Sequence, residues 1–314
     1  MGSEMLVAVV GPTATGKSDL ALALGHALGG PEKVEVVGAD AMQLYREMDI
    51  GTAKLPVDQR QGFVHHQIDV LDIDQDASVA AYQDHARKDI DRTLAAGKAA
   101  VLVGGSGLYV RAVLDPIEFP GTDAQVRARL EEEATSLGTQ ALHDRLGELD
   151  PQSANRIDPR NTRRLVRALE VIELTGRPFS ASLPQYQYVR QTLQIGLRLP
   201  DDVLDQRIAR RTDAMFTQGL VEEVRALRDS GLAQTRTASR ATGYGEVLSL
   251  LDGEITEEEA RDAISLATRQ LARRQIKWFR RDPRIHWLDA TDPASATKAA
   301  VSLLSDAEDP VALP

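Results

Sequence analysis

The sequence predicts an α/β protein, a P-loop NTPase-like parallel sheet flanked by helices and carrying a helical insertion, and three observations predict it. First, the apolar run Leu6-Val7-Ala8-Val9-Val10 leads into Gly11-Pro12-Thr13-Ala14-Thr15-Gly16-Lys17-Ser18, the G-x-x-x-x-G-K-[ST] turn between a buried strand and a helix. Second, further short apolar runs at 34–39, 99–103 and 193–199 recur between helical stretches. Third, from 122 to about 188 long charged helical stretches replace that rhythm. The expected domains are therefore a core made of 1–121 and 190–314 and an insertion at 122–189.

Composition sets the outer limits. A chain of 314 residues has length for about two domains and a large core. It contains no Cys, which excludes disulfides and thiolate metal sites. No apolar run reaches membrane length and no signal-peptide pattern precedes Val7, so a cytoplasmic protein, with no membrane partner, is expected. A monomer is expected as well. The net charge of −10 argues against a uniformly basic nucleic-acid binder while leaving local patches open.

The turn at 11–18 is a cradle for an oligophosphate. Its glycines let successive N–H groups point inward, and the following helix aims the positive end of its dipole at the same spot. Gly11, Thr13, Ala14, Thr15, Gly16, Lys17 and Ser18 are the expected phosphate-binding residues. Lys17 would reach the phosphate oxygens, and the Ser18 hydroxyl would ligate Mg2+. The helix over 18–28 stops at Gly29-Gly30-Pro31, and the strand at 34–39 ends on Asp40. Ligands of open parallel sheets bind beyond the carboxyl ends of strands, which brings Asp40 to the cradle. Two roles are open to it there: a turn cap, or a carboxylate that holds magnesium through water or accepts a proton from a nucleophile.

His65 and His66 are adjacent, so on an extended segment they face opposite ways and do not share a metal ion. Ser78 caps a helix whose Tyr82, Ala86, Ile90 and Leu94 form a packing stripe. The strand at 99–103 then meets Gly104-Gly105-Ser106-Gly107, where a nucleotide hydrolase would carry a magnesium-holding Asp. Three glycines there suggest the close approach of a ligand and leave space for one.

In the insertion, helices are expected over 126–137, 139–149 and 161–174, the last beside Arg160 and including Arg163, Arg164 and Arg167. That cluster suits an anionic partner, for which the insertion would serve as a lid or arm, or a solvated charged helix. After the returning strand at 193–199, a helix starting at Asp201 carries Arg207, Arg210 and Arg211. A long helix opened by Thr256-Glu257-Glu258-Glu259 ends in the strongest basic and aromatic patch of the chain, with Arg273, Arg274, Lys277 and Arg280 around Trp278 and Phe279. Such a patch fits phosphate tracking with stacking of an unpaired base, or a salt-bridged surface helix. A strand at 285–288 and an acidic tail complete the expected order.

Taken together, 11–18, Asp40-Ala41-Met42-Gln43, Met48-Asp49-Ile50-Gly51-Thr52-Ala53-Lys54, Val103-Gly104-Gly105-Ser106-Gly107-Leu108-Tyr109, Arg164-Leu165-Val166-Arg167-Ala168-Leu169-Glu170 and Thr268-Arg269-Gln270-Leu271-Ala272-Arg273-Arg274-Gln275 resemble the bacterial tRNA dimethylallyltransferases in order and spacing. The likeness spans roughly 6–290. It implies transfer of a dimethylallyl group from dimethylallyl diphosphate to N6 of adenosine 37 in the tRNA anticodon stem-loop, with magnesium, and release of diphosphate. Asp40 is then the candidate base, and the resemblance adds Thr13 and Arg211 as groups acting on the diphosphate. The candidate tRNA contacts are Asp40, Ala41, Met42, Gln43, Ser106, Arg127, Arg160, Arg163, Arg164, Arg167, Arg240, Tyr244, Arg273, Arg274, Lys277 and Arg280. Ala41, Leu55, Ser106 and Gly245 depart from the family pattern, which bears on RNA contact rather than on the reaction. A small-molecule kinase binding ATP is the alternative use of the same nucleotide-binding loop, disfavoured by the glycines after 103 and by the distant basic helix.

Overall fold

The computed structural model describes residues 5–182 and 186–308. In chain order the first part comprises β1 (Leu6–Val10), α1 (Lys17–Ala27), β2 (Val34–Gly38), β3 (Val64–His66), α2 (Val79–Ala95), β4 (Ala99–Gly104) and α3 (Gly107–Leu114). Next come α4 (Ala124–Leu137), α5 (Thr139–Leu149), α6 (Pro151–Ala154) and α7 (Thr162–Thr175). The chain returns through β5 (Thr192–Arg198), α8 (Asp201–Gln218), α9 (Leu220–Asp229), α10 (Tyr244–Leu251), α11 (Glu257–Phe279), β6 (His286–Asp289) and α12 (Pro293–Glu308). Two compact units result, Met1–Leu114 with Tyr188–Pro314, and Asp115–Gln187.

The larger unit is a six-stranded, fully parallel sheet of order β3-β2-β4-β1-β5-β6. Strand β1 is entirely buried and lies between β4 and β5, pairing Val10 with Gly104 on one side and Gly196 on the other. Its side chains alternate between two cores, as a period of two requires: Val7 and Val9 join Leu20, Leu24, Ile195 and Ile208, while Leu6, Ala8 and Val10 join Tyr82, Ile90, Val113 and Phe279. The chain passes from β1 through α1 to β2, leaving β4 between them, so the loops after β1, β2 and β4 emerge side by side.

Two elements differ from expectation. Strand β3 is only three residues long, two of them histidines, too short for a periodicity signal, and is held by a charge network instead. The Glu35 carboxylate of β2 accepts from His66 Nε2 at 2.7 Å, Thr93 Oγ1 at 2.8 Å and Lys98 Nζ at 2.8 Å. Burial would raise its pKa, but those donors outweigh burial and hold it at about 2. His65 instead donates to the Phe63 carbonyl at 2.9 Å, so the two imidazoles have separate partners. The acidic tail, in turn, is the helix α12, with Ala296, Ala300 and Leu304 buried at i, i+4 spacing and the last two packed with the α1 core.

The smaller unit has its own core of Leu130, Leu142, Leu146, Leu165 and Leu169. It begins at 115 rather than 122 because α7 holds the segment before α4: Arg167 donates to the carbonyls of Pro120 and Gly121. Fully buried Glu170 gathers the rest, accepting from Arg127 and Arg167 at 2.7 Å each and from the Asp123 N–H at 3.1 Å. Burial raises its pKa, yet these donors keep it below the usual carboxylate value. Glu170→Gln should therefore destabilise the protein by about 2 kcal/mol, less than for a fully buried pair because both arginines stay partly solvated. Urea unfolding of the variant against the wild type measures that loss.

Candidate active site

The phosphate loop joins β1 to α1 in a form that only part of its sequence tolerates easily. Gly11 has φ +140° and lies so close to β5 that a Cβ on it would meet the Leu197 carbonyl oxygen at 2.6 Å. Ala14 adopts φ +64°, a left-handed conformation that costs a non-glycine residue about 1 kcal/mol and is typical of functional turns. Gly16 stands at the N-cap of α1, and no side chain caps the helix. The first-turn N–H groups of α1 are thus left for a ligand to satisfy. Thr15 Oγ1 and Lys17 Nζ both donate to the Pro12 carbonyl, at 2.8 and 2.7 Å, and brace the loop from within.

Beside the loop is a cavity of about 90 Å³ lined by Thr13, Lys17, Asp40, Thr52, Arg211, Thr242, Thr268 and Gln275 and, on its apolar wall, by Met42, Met215, Leu220, Ile264 and Leu271. Asp40, Lys17, Thr13 and Arg211, singled out from different parts of the sequence, therefore meet in one space. Asp40 takes the turn-capping role, its Oδ1 accepting from the Met42 N–H at 3.0 Å, and the residue also lines the cavity. Arg211 has neither a hydrogen bond nor an ion pair among the described residues. Desolvation lowers the Lys17 pKa to about 8, with Asp40 raising it and Arg211 lowering it further. Arg211 is shifted down by burial, opposed by Asp40. The arrangement sets two cationic side chains and one carboxylate around the same cavity.

The wall facing the loop is anchored by Glu223, which the sequence pattern does not single out. Its carboxylate accepts from the N–H groups of Asp49, Ile50 and Gly51 at 3.0, 2.6 and 3.1 Å and from the Tyr244 hydroxyl at 2.6 Å. Tyr244 is fully buried, and a Cβ on Gly51 would stand 2.5 Å from its ring, so it supports the cavity wall and is not available to RNA. Buried Lys54 closes the same loop, donating to the Tyr45 carbonyl at 2.8 Å and to Asp49 and Asp69 at 2.6 and 2.5 Å. Gln43 donates to the Thr52 carbonyl at 3.1 Å, and Ser106 Oγ accepts from the Ala41 N–H at 3.2 Å.

The glycines after β4 do not make room for a ligand. A Cβ on Gly104 would lie 2.1 Å from the Ala39 carbonyl oxygen, one on Gly105 2.6 Å from Gln275 Nε2, and one on Gly107 2.1 Å from Trp278 Cδ1. The protein itself fills all three spaces, two of them with side chains of α11. The apolar surface of the cavity comes mostly from α8, α9 and α11 instead, with Met42 beside them.

Among the expected RNA contacts, Arg274 and Lys277 on α11 and Arg280 at its C-cap are exposed, as are Arg163, Arg164 and Arg240 on their own elements. Arg273 instead binds Asp205 at 2.9 Å and approaches Asp201 at 3.6 Å. Arg127 and Arg167 are committed to Glu170, and exposed Arg160 pairs with Asp158 at 2.9 Å.

The "IPP transferase" family model matches residues 43–282. The chain belongs to the IPP transferase family. A tRNA dimethylallyltransferase of Kineococcus radiotolerans is 55% identical over 306 residues, covering 95% of this chain and 96% of the relative. The tRNA isopentenylpyrophosphate transferase structure from Bacillus halodurans matches with a TM-score of 0.70 at 39% identity, covering 97% of each chain. A eukaryotic dimethylallyltransferase acting on tRNA shares the fold, with a TM-score of 0.82 at 24% identity over 97% of this chain and 79% of that one. In this family member the strand order described above brings the loop and Asp40 together, and α8 adds Arg211 to the same cavity.

An anion held by Lys17 binds more tightly while the lysine is charged, below about pH 8, and loses that contribution as pH rises through it. The affinity for inorganic diphosphate should fall by about tenfold between pH 8 and about 9.5 in the wild type and stay nearly flat in Lys17→Arg. Calorimetric titration of both proteins at matched pH cancels the ionisation of the ligand itself.

Proposed function

We propose that this protein transfers the dimethylallyl group of dimethylallyl diphosphate to N6 of adenosine 37 in tRNA, giving N6-dimethylallyladenosine and diphosphate. One observation carries this reading: in an IPP transferase, an uncapped helix N-terminus, Lys17 and an unpartnered Arg211 converge on a cavity that also holds one carboxylate and an apolar wall. A prenyl diphosphate has that distribution of charge and oil.

In the reaction the N6–carbon bond forms as the carbon–oxygen bond to diphosphate breaks. The bonding electrons leave with the diphosphate, and the N6 proton passes to Asp40. The N6 lone pair is delocalised into the ring, so removal of its proton as the bond forms is worth a large factor. Lys17, Arg211, the N–H groups of the loop and the Thr13 hydroxyl stabilise the charge growing on the leaving group. The exposed Ser18 hydroxyl, with phosphate oxygens, is a hard donor set suited to Mg2+, and no cluster of three His, Asp or Glu side chains among the described residues offers a resident cage. Magnesium arriving with the diphosphate would supply further charge neutralisation there. The acceptor adenine must leave the loop stack to reach Asp40, which an unpaired base does at low cost.

The kinase reading needs a magnesium-ordering carboxylate at the end of β4. Gly104 sits there, against the Ala39 carbonyl, and no side chain fits. Incubation with dimethylallyl diphosphate and tRNA, followed by mass analysis of the nucleosides, tests the proposal; conversion of ATP to ADP with a small acceptor and no prenylated adenosine would favour the kinase.

Asp40→Asn keeps the shape but accepts no proton. Its single-turnover rate should drop by about a hundredfold or more while diphosphate binding holds or improves. A near-normal rate would reduce Asp40 to a turn cap. For RNA, the surface of α11 supports contact by Arg274 and Lys277 rather than by Arg273. Replacing both with Glu should weaken tRNA binding and flatten its logarithmic salt dependence by a slope of roughly one to two; an unchanged slope would remove α11 from the interface.

A further inference from the structure

One polar side chain in the cavity wall has no part in the chemistry described above. Gln275, on α11, accepts a hydrogen bond at Oε1 from the Thr13 N–H of the phosphate loop at 2.8 Å. On its other side the amide occupies the space beside Gly105, where its Nε2 would stand 2.6 Å from a Cβ. Three residues on, Trp278 packs over Gly107 in the same way. Residues at i and i+3 share a helix face, so this face of α11 is keyed to the phosphate loop and to the β4–α3 turn. The neighbouring Arg274 and Lys277 are exposed. A single helix thus meets the loop that cradles the anion and carries the cations available to a polyanion.

We infer that Gln275 is a positioning residue that couples the two substrates: RNA docking on α11 and anion binding in the phosphate loop strengthen each other through its bond to Thr13. The inference rests on the proposed RNA-modifying function. Whichever ligand arrives first fixes α11 and the loop relative to one another, and the second then binds a surface already ordered. Such coupling is reciprocal. One neutral hydrogen bond supports a coupling of about three- to tenfold.

The test is a titration of inorganic diphosphate with magnesium into the full chain, with and without an anticodon stem-loop RNA. No prenyl donor is present, so no turnover intervenes. The wild type should bind diphosphate about three- to tenfold more tightly with RNA, and RNA more tightly with diphosphate by the same factor. Gln275→Met keeps the length and bulk of the side chain but accepts the Thr13 N–H poorly, and its ratio should fall to about one. Gln275→Leu is the second such variant, should the first fold badly. Gln275→Glu retains an acceptor, so its ratio should persist although its charge weakens diphosphate binding itself. A wild-type ratio of one, full coupling in the Met or Leu variant, or lost coupling in the Glu variant would overturn the inference. Failure of the wild type to bind either ligand would instead overturn the proposed function.

Discussion

Positive charge is concentrated in the cavity beyond what its one carboxylate balances, and most of the structure around it exists to hold that imbalance in place. Lys17, Arg211 and the open end of α1 face a space in which Asp40 is the acidic group. Desolvation takes Lys17 to about 8, a measure of how poorly the isolated site accommodates its own charge. An anion placed beside these groups would relieve that cost through charge alone, before any shape is considered. Its geometry descends from the sheet. Because β4 lies between β1 and β2, the loops after β1 and β2 flank it, and Asp40 is brought against Lys17 without either residue being near the other in sequence.

The remaining walls are carried by carboxylates that do no chemistry. Glu223 gathers three consecutive N–H groups and the Tyr244 hydroxyl, fixing the stretch at 49–52 as a rigid lining. A partly buried carboxylate stripped of one of these donors would lose part of a shared network, so the four act as a unit. Lys54 performs the converse role, one ammonium tying a carbonyl and two carboxylates. The motif around Asp49 and Gly51 is thus shaped by packing against Tyr244 and by Glu223, and through Gly51 and Thr52 it forms part of the cavity wall.

The sequence revealed those features whose signals are local. The phosphate loop, the sheet strands with apolar runs, α7 and the acid-rich opening of α11 are all written in neighbouring residues. Strand β3 was hidden because three residues carry no periodicity, and the glycines at 104, 105 and 107 were misread because the atoms filling their space come from 39, 275 and 278. The roles of Glu223 and Gln275 were hidden for the same reason, since their backbone partners lie more than 170 residues away in the chain. A signal for Gln275 did exist: Ile264, Thr268, Leu271 and Gln275 recur at four, three and four residues along one face of α11, and all four line the cavity.

Charge shows the same limit most clearly, since a sequence counts cations and a structure subtracts those already neutralised. Arg127 and Arg167 belong to Glu170, Arg273 to Asp205, and Arg160 to Asp158. In this acidic chain of net charge −10, Arg163, Arg164, Arg240, Arg274, Lys277 and Arg280 have no ion pair among the described residues. A polyanion approaching such a surface gains attraction only where these side chains cluster and meets repulsion elsewhere, screened beyond about 8–10 Å at ordinary ionic strength. An acidic net charge is therefore compatible with binding of a polyanion at a local cluster of unpaired cations on either unit. Contacts confined to a few unpaired cations favour one docked orientation over the many that a uniformly basic surface would accept.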